Sequence, residues 1–174
     1  MSKRGGTALV LSGGGARAAY QVGVLAAIRE LLPAPRANPF PILCGTSAGA
    51  INAASLAAQA EDFDAAVADL LDVWRNFHAG QVYRADPAGI GVSGMRWLLA
   101  LMFGWVVRNS PRSLLDNAPL RGLLNDRLAF DNIERAIDRG ALYAVSITAS
   151  GYFSGQSISF FQGGDGIQPW NRTQ

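Results

Sequence analysis

The sequence contains too few of certain residues to support several protein classes. With one cysteine in 174 residues, no internal disulfide can form, so a disulfide-stapled secreted domain is excluded and a cytoplasmic location is expected. The first residues lack the small-residue cleavage pattern of a secretory signal. The most apolar stretch, residues 97–107, is eleven residues long. It is therefore too short for the roughly 20 residues that a transmembrane helix needs.

The chain also lacks a large excess of either positive or negative charge. Fifteen basic and thirteen acidic residues give a net charge of +2, and no long basic run occurs, so no nucleic-acid partner is expected. The slight positive excess is compatible with peripheral contact at anionic lipid headgroups. Because no His, Cys, Asp and Glu cluster has metal-ligand spacing, the sequence predicts neither a metal nor a cofactor.

The hydrophobic residues that are present, 49% of the chain, suffice for the core of a single domain over residues 1–174. Their pattern predicts an α/β fold built on two strand, glycine loop and helix units. The first is a strand at 7–11 followed by a helix at 16–32, and the second is a strand at 41–44 followed by a helix at 50–60. The stripe expected to be buried on the first helix consists of Tyr20, Val24, Ile28 and Leu31.

Four further elements follow along the chain. Apolar residues from Phe63 to Phe77 recur at helical spacing, and Pro119 opens a short helix through Leu128. Asp131 and Glu134 form a capping-box pair for a helix at 131–139, which Gly140 ends. A strand pair at 142–149 and 157–161, with a turn at 154–155, closes the pattern.

The clearest chemical signal is the pentapeptide Gly-Thr-Ser-Ala-Gly at 45–49. With an apolar strand before it and helix-forming residues after it, it matches a nucleophile elbow, in which a sharp turn exposes the central Ser47. Gly45 and Gly49 are expected to make room for neighbouring backbone, and the following helix N-terminus to supply donors for an oxyanion. A small-residue turn that only packs a helix against a strand is the alternative.

The second signal is the glycine loop Gly13, Gly14 and Gly15, followed by Arg17. Backbone N–H groups of such a loop can hold a phosphate or an oxyanion. A dinucleotide site would need an acidic residue about 20 positions later, and 31–44 contains none. A phosphate-binding P-loop is excluded because no Gly-Lys-Ser/Thr follows. A purely structural glycine turn stays open.

The presence of a single histidine limits which residue could act as the base for Ser47. His78 lies 31 positions after Ser47 (78 − 47) at the predicted end of an amphipathic helix, where it suits a helix-capping role better than a Ser-His-Asp triad. Unless a histidine lies beyond Gln174, the base for Ser47 is therefore expected to be another group. Cys44, directly before the elbow, is expected to be buried as a small hydrophobe rather than reactive.

Taken together, the glycine loop with Arg17 and the elbow about thirty residues later resemble the patatin-like phospholipase family. Residues 114–120 and 147–149 also resemble its members. The resemblance implies a three-layer α/β/α sheet and hydrolysis of lipid acyl esters by a Ser-Asp dyad without histidine. It implies that Ser47 attacks the ester, that N–H groups of Gly14 and Gly15 hold the oxyanion, and that Arg17 braces the loop or meets a phosphate.

Two departures from the family pattern matter. Ala18 stands where the family's glycine loop ends in glycine, which a small side chain should tolerate. The family's dyad aspartate lies in Asp-Gly-Gly or Asp-Gly-Ala, after a small-residue helix that follows the strand pair. Here the one acid followed directly by glycine is Asp165, which comes straight after the return strand. We therefore expect the dyad aspartate beyond Gln174 and a sheet that is incomplete at its C-terminal end, with Asp165 as the internal alternative.

Two other functions stay open at this point. The glycine loop would also suit a nucleotide- or phosphate-binding regulatory α/β domain, and an intact elbow without reactivity would indicate a non-catalytic lipid-binding relative. The apolar segment 97–107, bounded by arginines, is predicted either as a lipid-facing or lid helix beside the active site or as a core helix against the sheet.

Overall fold

A computed structural model of the chain describes residues 6–78, 118–151 and 154–168. The predicted helix at 97–107 lies outside these residues. Contacts divide the chain into two compact units, one made of Met1–Arg75 with Leu128–Gln174 and the other of Asn76–Arg127. The described part of the second unit contains the helix Ala118–Arg127, here α4. Its bounds agree within one residue with the helix predicted from Pro119 through Leu128.

The first unit is built on a four-stranded sheet. Its strands are β1 (Ala8–Leu11), β2 (Ile42–Thr46), β3 (Ala144–Ser150) and β4 (Ser157–Gly163), in the order β1-β2-β3-β4. The first three are parallel and β4 is antiparallel to β3. The predicted strand pair and the turn before β4 are confirmed, since Gly155 has a positive φ of 66°.

Four helices accompany the sheet in the described part of this unit. They are α1 (Ala18–Leu31), preceded by a single 3-10 turn, α2 (Ala48–Ala58), α3 (Phe63–Arg75) and α5 (Asp131–Asp138). Helix α2 lies against β2 and β3, and α1 packs mainly against α3. The α/β class predicted from the sequence is confirmed. None of the described helices is long and apolar enough to cross a membrane.

Among the described residues, the core cluster lies on one face of the sheet, the face that Leu11, Leu43 and Val145 share because strand side chains alternate between faces. Leu11, Leu43 and Val145 belong to the core cluster with the helices, whereas Val10 on the other face is 73% exposed. Cys44, beside Val10 in the register, is half-buried. The prediction of a buried cysteine is therefore wrong, because position 44 points away from the helical core.

Helix α1 buries a different stripe from the predicted one. Ala18, Val22 and Leu25 are buried, whereas Tyr20 is 78% and Leu31 is 85% exposed. Val24 is exposed as well, and Ile28 alone of the predicted set packs partly against the core. Both stripes have helical spacing, and close packing on α3 and α2 selects the one with smaller side chains.

The start of α5 differs from the expected capping box. The N-cap residue is Phe130, which has helical dihedral angles and no side-chain cap hydrogen bond, and Asp131 lies inside the first turn. The carboxylates of Asp131 and Glu134 therefore act through the helix dipole rather than as reciprocal caps. The predicted end is confirmed, since Gly140 has a φ of 72°, a conformation that glycine adopts without strain.

Candidate active site

Ser47 lies at the sharp turn between β2 and α2. Its φ of 55° and ψ of −123° make it the one non-glycine residue with positive φ among the residues that the structure describes. A serine held in this sparsely populated conformation marks stored backbone strain, which clusters at functional sites. The Ser47 residue is exposed, so its hydroxyl is presented at the carboxyl edge of the parallel strands.

The two glycines that flank this turn are required by close backbone contacts. A Cβ on Gly45 would lie 2.5 Å from the Gly49 carbonyl oxygen and 2.6 Å from the Ala50 Cα. A Cβ on Gly49 would lie 2.6 Å from the carbonyl oxygen of Ser12. Glycine at both positions therefore lets α2 pack directly on β2 and on the end of β1.

The glycine loop lies beside Ser47. An added Cβ on Gly13 would be 3.1 Å from the Ser47 Cβ and 3.8 Å from its Oγ. Gly14 precedes the 3-10 turn, and Gly15 has a positive φ of 56°. The chain thus brings together the two segments that the sequence singles out, although 34 positions separate Gly13 from Ser47 (47 − 13).

Arg17 ends the 3-10 turn and follows the loop closely. Its N–H donates to the Gly14 carbonyl at 3.2 Å, and its Cβ would be 3.3 Å from a Cβ on Gly14. The Arg17 residue is exposed. This position is compatible with either role that the family resemblance implies for Arg17, bracing the loop or meeting a phosphate.

Some of the backbone N–H groups near Ser47 already donate hydrogen bonds within the protein. The Ser47 N–H donates to the Thr148 carbonyl of β3 at 3.2 Å, so it is not available to an oxyanion. The Ala50 N–H donates to the Ser47 carbonyl at 2.9 Å, whereas the N–H groups at the very start of a helix have no partner within their own helix. The helix dipole also places partial positive charge there. The Ala48 N–H, directly after the serine, has the sequence position that supplies an oxyanion donor in other nucleophile elbows.

The structure does not bring Asp165 to Ser47. Gly163 pairs with Ala144 at the start of β3, and Ser47 bonds to Thr148 near its end. Four residues of strand span about 13 Å at about 3.3 Å each. Asp165 follows Gly163 by two residues and therefore lies near the amino end of β3. The elbow lies at the opposite, carboxyl end of the parallel strands.

His78 is exposed and follows Arg75, the last residue of α3. It belongs to the second compact unit, whereas Ser47 belongs to the first.

Two polar residues that sequence reasoning missed lie behind the glycine loop. Asn52 of α2 is fully buried and bonds to Ala18, Gln21 and Trp74. Gln21 in turn donates to the Ser12 carbonyl at 2.8 Å. A lone asparagine in the alanine-rich run 48–58 was the available signal, since a polar side chain buried there needs partners.

Comparison with known proteins identifies the family. The model of the family described as patatin-like phospholipase matches residues 9–163, most of the chain. The chain belongs to the patatin-like phospholipase family. The resemblance inferred from the glycine loop and elbow is therefore confirmed, and the mixed sheet with its helices is the patatin-like α/β fold.

One curated relative of this patatin-like chain is a cGAMP-activated phospholipase of Pseudomonas aeruginosa (strain BWHPSA011 / Pa011). The two are 49% identical over 51 residues, which is 29% of this chain and 15% of the relative. The match thus spans less than a sixth of the relative's length. No solved structure matches the chain.

Proposed function

We propose that this chain is part of a serine hydrolase that cleaves lipid acyl esters, with Ser47 as the nucleophile. Membership of the patatin-like phospholipase family supports lipid acyl hydrolysis at the family level. The observation that carries the specific proposal is the positive φ of Ser47 at a strand-to-helix turn, with Gly13 packed against it. A packing turn would not need a strained, exposed serine.

The proposed reaction has two steps. The Ser47 Oγ attacks the ester carbonyl carbon, and its proton passes to a carboxylate. The tetrahedral intermediate then expels the alcohol, which takes that proton, and an acyl-serine remains. Water next attacks the acyl group, gives a proton to the same carboxylate, and releases the fatty acid as Ser47 recovers its hydrogen. Splitting the hydrolysis in this way replaces one difficult step by two easier ones.

The oxyanion of each intermediate would be held by backbone donors. We assign this role to the glycine loop, Gly13 to Gly15, together with the N-terminus of α2. Loss of one such donor typically lowers turnover by about 10²–10³. Because the donors belong to a loop fixed against α2 by glycine contacts, they need little reorganisation as charge develops.

The base is proposed to be an aspartate in a Ser-Asp dyad. Serine is a weak nucleophile until a neighbouring group accepts its proton. Since Asp165 lies at the other edge of the sheet, we place the dyad aspartate beyond Gln174, as the family pattern implies. The substrate would be a phospholipid or neutral acyl ester, met by peripheral contact with a membrane.

Fluorophosphonate labelling of the full-length protein that contains this chain tests the proposal. We expect the label on Ser47 in peptide mass mapping and hydrolysis of a soluble acyl ester. Both should be lost in Ser47→Ala. Ser154→Ala, which changes an exposed loop serine, is the matched control and should be labelled like the wild type.

Three outcomes would contradict the proposal. Label on a different serine would displace Ser47 as nucleophile. A rise in melting temperature with nucleotide, without ester turnover, would favour a phosphate-binding domain. Vesicle binding by a protein that neither labels nor hydrolyses esters would indicate a non-catalytic relative.

A further inference from the structure

We propose that Gln21 is a positioning residue that holds the glycine loop beside Ser47. It is the last side chain in a directed chain of hydrogen bonds that runs from α3 through α2 and α1 to the Ser12 carbonyl. This inference rests on the proposed hydrolase function and names residues that control it.

The orientation of the Asn52 amide determines the direction of this chain of hydrogen bonds. The indole Nε1 of Trp74 donates to Asn52 Oδ1 at 2.8 Å. Asn52 Nδ2 donates to the Ala18 carbonyl and to Gln21 Oε1, both at 3.2 Å. An indole N–H only donates and a backbone carbonyl only accepts, so these two partners determine which end of the amide is which. The buried amide thereby uses its acceptor and both donors.

The orientation of Asn52 determines that of Gln21. Because Asn52 presents a donor, Gln21 must turn its oxygen toward Asn52 and its amide nitrogen away. That nitrogen, Nε2, donates to the Ser12 carbonyl at 2.8 Å. Hydrogen bonds that run in one direction polarise and strengthen one another. The order Trp74, Asn52, Gln21 and Ser12 is thus a single directed relay.

The Ser12 carbonyl connects this relay to the proposed oxyanion loop. A trans peptide is planar, with its C=O and the following N–H pointing in opposite directions. Holding the Ser12 carbonyl toward Gln21 therefore fixes the direction of the Gly13 N–H. Gly49 of α2 packs against the same Ser12 carbonyl, since a Cβ on Gly49 would lie 2.6 Å from the Ser12 oxygen. Gly13 itself is the loop residue packed against Ser47.

Burial separates a positioning role from a general structural one. Gln21 is half-buried, and loss of its amide would leave one N–H of the buried Asn52 without that partner, a cost that is a fraction of the stability typical of a folded domain. Loss of the Gln21 amide should therefore leave the fold intact. An oxyanion donor acts only when correctly aimed, so a rotated Ser12–Gly13 peptide should reduce the rate of acyl transfer more than substrate binding.

Two substitutions of Gln21 in the full-length protein test this inference. Gln21→Glu retains the shape and the oxygen that faces Asn52 but turns a second oxygen toward the Ser12 carbonyl. Gln21→Leu removes both polar atoms without adding charge. For both we expect kcat on a soluble ester to fall by about 10-fold or more, below the 10²–10³ loss typical of a deleted donor. KM should stay within about twofold, and fluorophosphonate labelling of Ser47 should slow in parallel.

The matched control is Gln162→Glu, an identical charge change at an exposed position of β4, near the edge of the sheet opposite Ser47. It should leave kcat unchanged. Wild-type kcat in a folded Gln21→Leu protein would overturn the inference, as would an equal loss in Gln162→Glu. A crystal structure of Gln21→Leu gives a readout independent of turnover. A rotated Ser12–Gly13 peptide supports the positioning role, and an unchanged peptide contradicts it, even if Ser47 proves unreactive.

Discussion

At the scale of single residues, the site depends on where side chains are absent. Gly45 and Gly49 allow backbone to meet backbone, and Gly13, which has no Cβ, lies beside Ser47 without crowding its side chain. Ser47 contributes the opposite feature, a side chain in a conformation that L-residues rarely adopt. The elbow therefore combines strain at one residue with the lack of a Cβ at its neighbours, and each can be tested separately.

Gly13→Ala should lower turnover without unfolding the protein. The new methyl would lie 3.1 Å from the Ser47 Cβ and 3.4 Å from the Thr46 carbonyl oxygen, which crowds the approach of an ester to Oγ. We expect kcat/KM on a soluble ester to fall by about 10-fold or more, because a small displacement of the reacting groups or of the oxyanion donors slows acyl transfer. Steady-state kinetics of the full-length protein measures the loss, and circular dichroism checks the fold.

A glycine in open space supplies the comparison. Gly23 in α1 has no atom within 4 Å of an added Cβ. Gly23→Ala should retain wild-type turnover and stabilise the helix by about 0.5–1 kcal/mol. Equal turnover in Gly13→Ala and Gly23→Ala would reduce the glycine loop to a structural turn.

At the scale of elements, local sequence patterns predict where the helices and strands lie better than they predict how these elements pack. Alternating and helical patterns located all four strands and the described helices to within a few residues. The elbow was visible because strand, glycine and helix signals are adjacent in the chain. Strand β2 runs on through Thr46 rather than ending at Cys44, because Thr46 pairs with Thr148 of β3, a partner about a hundred positions away.

The buried stripe of α1 and the relay behind the glycine loop could not be read from local pattern. Tyr20 and Leu31 have helical spacing as regular as that of Val22 and Leu25, and the position of α3 decides between them. The partners of Asn52 lie 22 to 34 positions away in sequence. Such non-local contacts depend on how three helices pack, which a single sequence does not state.

Gly45→Ala tests whether α2 must lie directly on β2. Its methyl would lie 2.5 Å from the Gly49 carbonyl oxygen and 2.7 Å from the Ala53 Cβ, so the helix would have to shift away from the strand. Overpacking typically costs about 1–3 kcal/mol, and more where backbone must move. We expect urea unfolding to show at least that loss. Gly122→Ala, where an added Cβ has open space, should show no loss. A Gly45→Ala protein as stable as wild type would mean that the close contact is not needed.

At the scale of the whole molecule, the direction of the strands decides which residues can work together. Three parallel strands bring the end of β1, the end of β2 and the end of β3 to one edge, where the glycine loop, Ser47 and Thr148 meet. The antiparallel return of β4 carries the chain back to the other edge. Any residue directly after β4 is therefore removed from the elbow by the length of the sheet.

Asp165→Asn should accordingly leave ester turnover in the full-length protein within about twofold of wild type. The chain after β4 is held at the far edge by the Gly164 N–H bond to the Tyr143 carbonyl at 2.9 Å, and about 13 Å of strand separates it from Ser47. A dyad base cannot act from there, since proton transfer needs heavy atoms within about 3.2 Å or one bridging water. Steady-state kinetics beside Ser47→Ala, which should lose turnover altogether, makes the comparison. A loss of 10³ or more in a folded Asp165→Asn protein would make Asp165 the base and require a rearrangement of the strand pair that carries it.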